Sequence, residues 1–202
     1  MTYYPIHINI TNKPCLVVGG GRVAQRKVMK LSKAGAAITV ISKELTPALT
    51  ELTQKSNVTY LKRHYQRDDV KGFFLVFAAT NNPEVNRQIT TEAQAHHVLS
   101  NSLNGVDEGD FILPATAEVG DLHVGVTTQG QSPALSARLR HYFQAKIAVL
   151  APEQLKVIAA LRQEMLSAEN EEHRELKNKE MQVSIDALIE SIEANDLNIN
   201  EL

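Results

Sequence analysis

The feature that most limits the fold of this chain is Gly19-Gly20-Gly21, set directly behind the apolar run Cys15-Leu16-Val17-Val18. With Ala24 following, the spacing reads G-x-G-x-x-A. Gly19 permits a tight turn, Gly21 lets backbone approach a pyrophosphate, and Ala24 lets a helix pack closely on the strand. The helix, read from Val23 to Ala34 with Gly35 to end it, then aims its unpaired N–H groups at an anion. A glycine pattern alone is weak; one that follows a strand, opens a helix and precedes a second strand predicts dinucleotide binding.

The rest of the first half supplies that context. Ile6 to Ile10 alternates apolar and polar residues as a short half-buried strand would, and Thr11 to Pro14 reads as a turn. The β-branched run Ala37 to Ile41 predicts a second strand. Thr46-Pro47 predicts an N-cap and first helical residue, with that helix running to about Lys55. Strands at Val58 to Leu61, Phe73 to Ala78 and Val98 to Ser100, with a helix from Pro83 to His96, continue the alternation. Alternating strands and helices predict a parallel sheet covered by helices: an α/β fold of Rossmann type.

The texture changes after residue 110. Phe111 to Pro114 and Leu122 to Thr127 read as an antiparallel pair, and the chain beyond Ser132-Pro133 has helical spacing, to Leu150 and then from Pro152 to about Asn195. We therefore expect a dinucleotide-binding domain over 1–110, a β dimerisation segment over 111–132 and a helical C-terminal domain over 133–202. The charged stretch Glu169 to Glu180 reads as solvated helix or connection.

Composition excludes several classes. With 21 Lys and Arg against 23 Asp and Glu there is no overall basic field to drive nonspecific nucleic-acid binding. The single cysteine, Cys15, excludes an intramolecular disulfide and a multi-thiolate zinc site, and reads as a buried strand residue. The N-terminus lacks a signal-peptide pattern and no apolar run suits a membrane span, so the expected location is cytoplasmic.

The cofactor contacts expected from these elements are Gly19, Gly21, Arg22 and Val23 at the turn, Ser42, Lys43 and Glu44 after the second strand, and Thr80 and Asn81 in Ala78-Ala79-Thr80-Asn81. Ligands of parallel sheets lie outside the carboxyl ends of the strands. The acidic residue that usually meets the ribose hydroxyls of NAD is replaced by Ser42-Lys43-Glu44. Glu44 lies late for that role and Lys43 suits a 2′-phosphate, so NAD and NADP both remain open on chemistry alone.

Five blocks carry a family resemblance: Tyr4-Pro5-Ile6, Val17 through Lys27, Ala78-Ala79-Thr80-Asn81, Phe111-Ile112-Leu113-Pro114-Ala115, and Gly130-Gln131-Ser132-Pro133-Ala134-Leu135. In order and spacing the chain resembles the precorrin-2 dehydrogenase and sirohydrochlorin ferrochelatase family, including the N-terminal part of multifunctional sirohaem synthases, from residue 4 to about 143. The resemblance implies NAD-dependent oxidation of precorrin-2 to sirohydrochlorin, with iron or cobalt insertion in some relatives. It also implies a homodimer joined through the segment after Phe111, and a helical tail that helps cover a tetrapyrrole. No methyltransferase-like stretch follows in this sequence, so a separate uroporphyrinogen methyltransferase is the expected pathway partner.

Two positions depart from the family pattern. The stretch N-x-x-D, whose aspartate is the family's leading candidate for proton or metal handling, is here Asn101-Ser102-Leu103-Asn104. An amide cannot serve as a general base near neutral pH; it can only position by hydrogen bonds, and Asp107 or Asp110 could stand in. A serine common two residues before the family glycine is Thr128. Dehydrogenation tolerates such changes because the cofactor takes the hydride and the protein mainly orients both partners, whereas metal insertion needs a group to accept pyrrole protons.

Of the remaining candidates, His123 lies opposite Leu122, Val124 and Val126 on its strand, which suits either a cleft role or ordinary exposure. His96-His97 suits a helix end. Ser132, Pro133 and Arg138 form the expected substrate contacts, and with Arg140, His141 and Lys146 the helix can meet the carboxylates of a tetrapyrrole or simply face solvent. Cys, His and Asp nowhere show metal-ligand spacing, so no permanent metal is expected. The competing class is a dinucleotide-sensing module without catalysis, distinguished by lack of tetrapyrrole affinity.

Overall fold

The computed structural model describes residues 3–55 and 57–195. They divide into two compact units, Met1–Ile112 and Leu113–Leu202.

The first unit is built on five parallel strands, β1 (Pro14–Val18), β2 (Ala37–Ser42), β3 (Val58–Lys62), β4 (Leu75–Ala78) and β5 (Leu99–Ser102). Their order is β3-β2-β1-β4-β5. Strand β1 is central and reads as an unbroken apolar run because both of its faces are covered, leaving Cys15, Leu16 and Val17 wholly buried. On one side lies α1 (Arg22–Lys33), whose Ala24, Val28 and Leu31 pack on Val17, Val40 and Phe77. On the other lies α3 (Pro83–Ala95), whose Ile89 and Ala93 pack on Leu16, Val18 and Val76. The remaining helix, α2 (Pro47–Lys55), starts as its Thr46-Pro47 pair predicts, with Thr46 Oγ1 accepting from the Leu49 N–H at 3.3 Å.

Val18, the last residue of β1, is paired with Ile41 on one side and Ala78 on the other. The chain therefore winds away from β1 in both directions, opening a crevice at the carboxyl ends of β1, β2 and β4. The glycine turn lies at its base.

The second unit holds an antiparallel hairpin of β6 (Ala115–Val119) and β7 (Leu122–Val126), turned at Gly120, whose φ of +52° suits glycine. Three helices follow, α4 (Pro133–Ile147), α5 (Pro152–Ser167) and α6 (Glu171–Ala194), around a small core of Ala117, Ile147, Leu150 and Leu188.

Two expected strands differ. Residues 6–10 are not a strand: Ile6 and Ile8 are exposed and only Ile10 reaches the core. Alternation marks a half-buried extended segment, but a strand also needs a neighbour with free ladder groups. Residues 111–114 are irregular, and the hairpin begins at Ala115 instead. Here Phe111 turns its ring edge-on to Phe77 at 5.5 Å, its carbonyl accepts from Asn101 Nδ2 at 2.9 Å, and Pro114 has no N–H to give a ladder.

Candidate dinucleotide site

Each glycine of the turn has a different neighbour. Gly19 has φ +126°, and a Cβ there would stand 2.2 Å from the Ala79 carbonyl oxygen. At Gly20 a Cβ would stand 1.8 Å from the Glu44 carbonyl oxygen, so both the β2 and β4 loops close directly on the turn. Gly21 is the opposite case: nothing lies within 4 Å of its missing Cβ. It is the N-cap of α1, extended in conformation and without a side-chain cap, so the first N–H groups of the helix face an open cradle. Arg22 and Val23 contribute N–H groups of that first turn; Val23 also packs half-buried against the core.

A cleft of about 700 Å³ extends from this turn. Gly19, Gly20 and Gly21 line it together with Ser42, Lys43 and Glu44 after β2 and with Thr80 and Asn81 after β4. Arg22 and Val23 border the turn without lining the cleft. Ser42 is turned back on its own loop, its Oγ donating to the Glu44 carbonyl at 2.7 Å. Arg63 also lines the cleft, but its guanidinium is held by both oxygens of Asp69 at 2.6 and 2.7 Å.

The lip after β4 is fixed by a residue the sequence reading did not single out. Asn86, on α3 and 1% exposed, accepts at Oδ1 from Thr80 N–H (3.0 Å) and Thr80 Oγ1 (2.7 Å), and donates from Nδ2 to the Thr80 carbonyl (3.0 Å). The same Nδ2 donates to Asn104 Oδ1 at 2.9 Å. A signal existed: Asn86 shares the apolar face of α3 with Ile89 and Ala93, where a polar residue has to find internal partners.

Asn104 is thereby engaged at both ends. Its Nδ2 donates to the Pro83 carbonyl at 2.8 Å and to Glu108 Oε2 at 2.5 Å. Glu108, in a short 3-10 helix over Val106–Glu108, also meets Arg87 at 3.0 Å. The Asn104 amide holds the Glu108 carboxyl below the usual carboxylate range, with Arg87 and Ser102 assisting against the opposing effect of burial. The two acids proposed to stand in for the family aspartate are both exposed; Asp110 accepts through Oδ2 from both Ser100 N–H and Ser100 Oγ at 2.9 Å.

Lys27, inside the long sequence block, lies half-buried on α1. Its Nζ donates to Asn101 Oδ1 at 2.5 Å and stands 4.9 Å from the centre of the Phe77 ring. Burial pushes its pKa down to about 8, with Arg26 and Lys30 adding to the effect.

His123, Thr128, Ser132, Pro133 and Arg138 belong to the second unit. His123 on β7 faces Glu118 across the hairpin, with Nδ1 3.8 Å from the carboxylate and both side chains well exposed. Thr128 Oγ1 accepts from Ser132 N–H at 2.8 Å and shares a hydrogen with Ser136 Oγ at 3.3 Å. Ser132 caps α4, accepting from Leu135 N–H, and Pro133 is its first residue; Arg138 is an exposed residue of that helix. These hydroxyls shape a helix start. Among the described residues no three His, Cys, Asp or Glu side chains gather to hold a metal ion, and no helix is long and apolar enough to cross a membrane.

A doubly wound parallel sheet with a glycine turn open at the start of α1 defines a Rossmann-type dinucleotide-binding protein. The chain belongs to the family described as "Putative NAD(P)-binding", whose model matches residues 6–115, more than half of the chain. It is 36% identical over 168 residues to the siroheme synthase of Methylobacillus flagellatus, covering 83% of this chain and 35% of that protein. It is 35% identical over 161 residues to the siroheme synthase of Psychromonas ingrahamii, covering 80% and 33%. The chain thus spans about a third of the length of these curated relatives. In fold it is similar to the solved precorrin-2 dehydrogenase SirC, with a TM-score of 0.69 and 19% identity over 95% of this chain and 100% of that one. The resemblance carried by the sequence blocks, and the α/β Rossmann-type fold with a hairpin and C-terminal helices, are borne out.

Proposed function

We propose that this protein oxidises precorrin-2 to sirohydrochlorin with NAD as acceptor, in sirohaem or cobalamin biosynthesis. The observation that carries the reading is the open cradle at Gly21, at the base of a cleft of about 700 Å³, in a chain similar to siroheme synthases over four-fifths of its length. NAD, when bound, supplies a hydride acceptor. The turn from Gly19 to Val23 would hold its pyrophosphate, Ser42, Lys43 and Glu44 its adenosine ribose, and Thr80 and Asn81 the portion beyond. Backbone contacts dominate this list, which leaves the side chains of the cleft to set position and selectivity.

Further parts of the reading are the tetrapyrrole contacts at Ser132, Pro133 and Arg138, proton handling near Asn104, Asp107, His123 and Thr128, a homodimer, and a uroporphyrinogen methyltransferase acting upstream. Arg138 and its neighbours on α4 offer cations to the acetate and propionate groups of the substrate. Iron or cobalt insertion has less behind it, because it needs an acceptor for the pyrrole protons and the Asn104 amide cannot take them.

The test is NADH absorbance on adding precorrin-2 and NAD to the purified protein, followed by iron or cobalt in the same cuvette. NADH formation supports the dehydrogenase, and the later spectral change decides chelation. Dinucleotide binding with neither reaction and no tetrapyrrole affinity would identify a sensing module instead.

A further inference from the structure

Where β2 and β3 end, the wall of the dinucleotide cleft carries two cations, and strand pairing is the reason. Ser42 closes β2 opposite Lys62 at the end of β3, so the residues that follow, Lys43 and Arg63, leave the sheet side by side. Both line the cleft. Lys43 is exposed, and its main chain is fixed from β3, where Tyr60 Oη shares its hydrogen between the Ser42 and Lys43 carbonyls at 3.0 and 3.2 Å.

Arg63 is held more firmly than an ordinary surface arginine. Its Nη1 and Nη2 donate to the two oxygens of Asp69 at 2.6 and 2.7 Å, and Nη1 also donates to the His64 carbonyl at 3.0 Å. Asp69, only 14% exposed, is itself fixed by the Gln66 N–H at 2.7 Å. A guanidinium carries five N–H groups. These bonds leave Nε–H and the second hydrogen of Nη2, which lie on one edge of the plane and point the same way, as the fork that a phosphate accepts with two oxygens. The side chain stays 33% exposed. Because Asp69 already orders it, little rotamer freedom is left to lose on binding.

We propose that Arg63, together with Lys43, forms a subsite for a phosphate on the 2′-oxygen of the adenosine ribose, so that the cleft binds NADP and not NAD alone. This rests on the reading of the cleft as the dinucleotide site and is independent of the tetrapyrrole substrate. Sites for the unphosphorylated ribose commonly place an acid at the end of the second strand, whereas sites for the 2′-phosphate place an arginine nearby. Here that end is Ser42, whose hydroxyl hydrogen goes to the Glu44 carbonyl at 2.7 Å. Its oxygen can still accept from a ribose hydroxyl, so NAD is not refused, but no carboxylate stands there to repel a phosphate. Among the described residues Glu44 is the one acid lining the cleft, against Lys43 and Arg63 with His64 beside them. The Asp69 carboxylate offsets part of the Arg63 charge; Lys43 supplies a second cation, while Arg63 supplies the oriented donors.

The experiment titrates wild type, R63K and R63Q/D69N by calorimetry with NADP, NAD, adenosine 2′,5′-bisphosphate and 5′-AMP. R63Q/D69N removes one charge of each sign and keeps a hydrogen-bonded pair, so the overall field is unchanged, and Tm checks the fold. Wild type is expected to bind NADP at least as tightly as NAD, and the bisphosphate about tenfold or more tighter than 5′-AMP. In R63Q/D69N, NADP and the bisphosphate should lose about tenfold or more, with NAD and 5′-AMP nearly unchanged. R63K, which keeps the charge and loses the fork, should fall between. Wild type binding NADP about tenfold more weakly than NAD overturns the subsite. Equal losses of NAD and NADP in R63Q/D69N overturn it too, since Arg63 then meets a part common to both. NADH formed from precorrin-2 while NADP is refused leaves the dehydrogenase standing and removes the subsite; NADP bound as expected, with neither dinucleotide reduced by precorrin-2, does the reverse.

Discussion

Asn86 Nδ2 donates to Asn104 Oδ1 at 2.9 Å, so that one buried side chain on α3 ties the loop after β4 to the loop after β5. Because all its partners are internal, Asn86→Ala would leave the Thr80 backbone groups and Asn104 Oδ1 without partners. Polar groups stranded where water reaches them poorly cost about 1–3 kcal/mol. Chemical denaturation should therefore show a loss of about 2 kcal/mol, and dinucleotide titration a weaker affinity, because Thr80 belongs to the cleft lip. Full stability in this variant would show that water replaces the amide and that the lip needs no such anchor.

Gly20 and Gly21 of the turn should separate under substitution. Gly20→Ala places a methyl 1.8 Å from a backbone oxygen, which no rotamer change relieves, and should lower Tm sharply. Gly21→Val meets open space, so Tm should stay near wild type while NAD affinity falls at least tenfold, about 1.4 kcal/mol or more. Equal NAD binding in Gly21→Val would move the pyrophosphate away from this turn.

Much of the first unit was legible because its signals are local and agree with one another. Strand β1 is apolar on both faces, the glycines break it, Ala24, Val28 and Leu31 mark the inner face of α1, and Thr46-Pro47 starts α2. What escaped depends on pairing between distant segments. The alternation of Ile6 to Ile10 carries no information on whether an adjacent strand exists. Phe111 was read for its β propensity, whereas its ring belongs to the core beside Phe77. In the site, the cofactor turn follows a fixed spacing and was found at once, but Asn86, Asn104 and Glu108 meet through three separate elements. Position 104 was visible as a departure from a pattern, while the acid it bonds, four residues on, was indistinguishable from neighbouring Asp107 and Asp110.

Cofactor choice should hinge on the end of β2. Ser42 supplies a hydroxyl where a carboxylate commonly meets the two ribose hydroxyls, and Lys43 follows it in the cleft lining. Ser42→Asp should favour NAD over NADP by tenfold or more, since a carboxylate repels a 2′-phosphate and accepts from a ribose hydroxyl. Lys43→Ala should weaken NADP more than NAD. Competition titrations with both dinucleotides measure each ratio; ratios unchanged in both variants would place the adenosine ribose elsewhere.

Lys27 should leave a distinct mark on stability. Its folded pKa is about 8 against an ordinary 10.5, chiefly because burial disfavours the ammonium. Below pH 8 the side chain is charged in both folded and unfolded chains, and the full cost of holding that charge among Phe77 and its neighbours is present. Between pH 8 and 10.5 the folded chain gives up the proton first, the unfolded chain binds more protons, and stability due to this residue rises with pH. Partial exposure limits the whole effect to on the order of 1–3 kcal/mol. Cys15 acts in the opposite sense: burial pushes its pKa up to about 11, so above its ordinary value of 9.0 the unfolded thiol ionises first and stability falls. Subtraction separates the two, because Lys27→Met retains Cys15. Urea denaturation of wild type and Lys27→Met at pH 7, 8.5 and 9.5 should show the wild type gaining relative to the variant as pH rises. The lost hydrogen bond to Asn101 Oδ1 adds only an offset, since the asparagine does not titrate. A difference that stays flat across this range would mean that water reaches Nζ and keeps it charged.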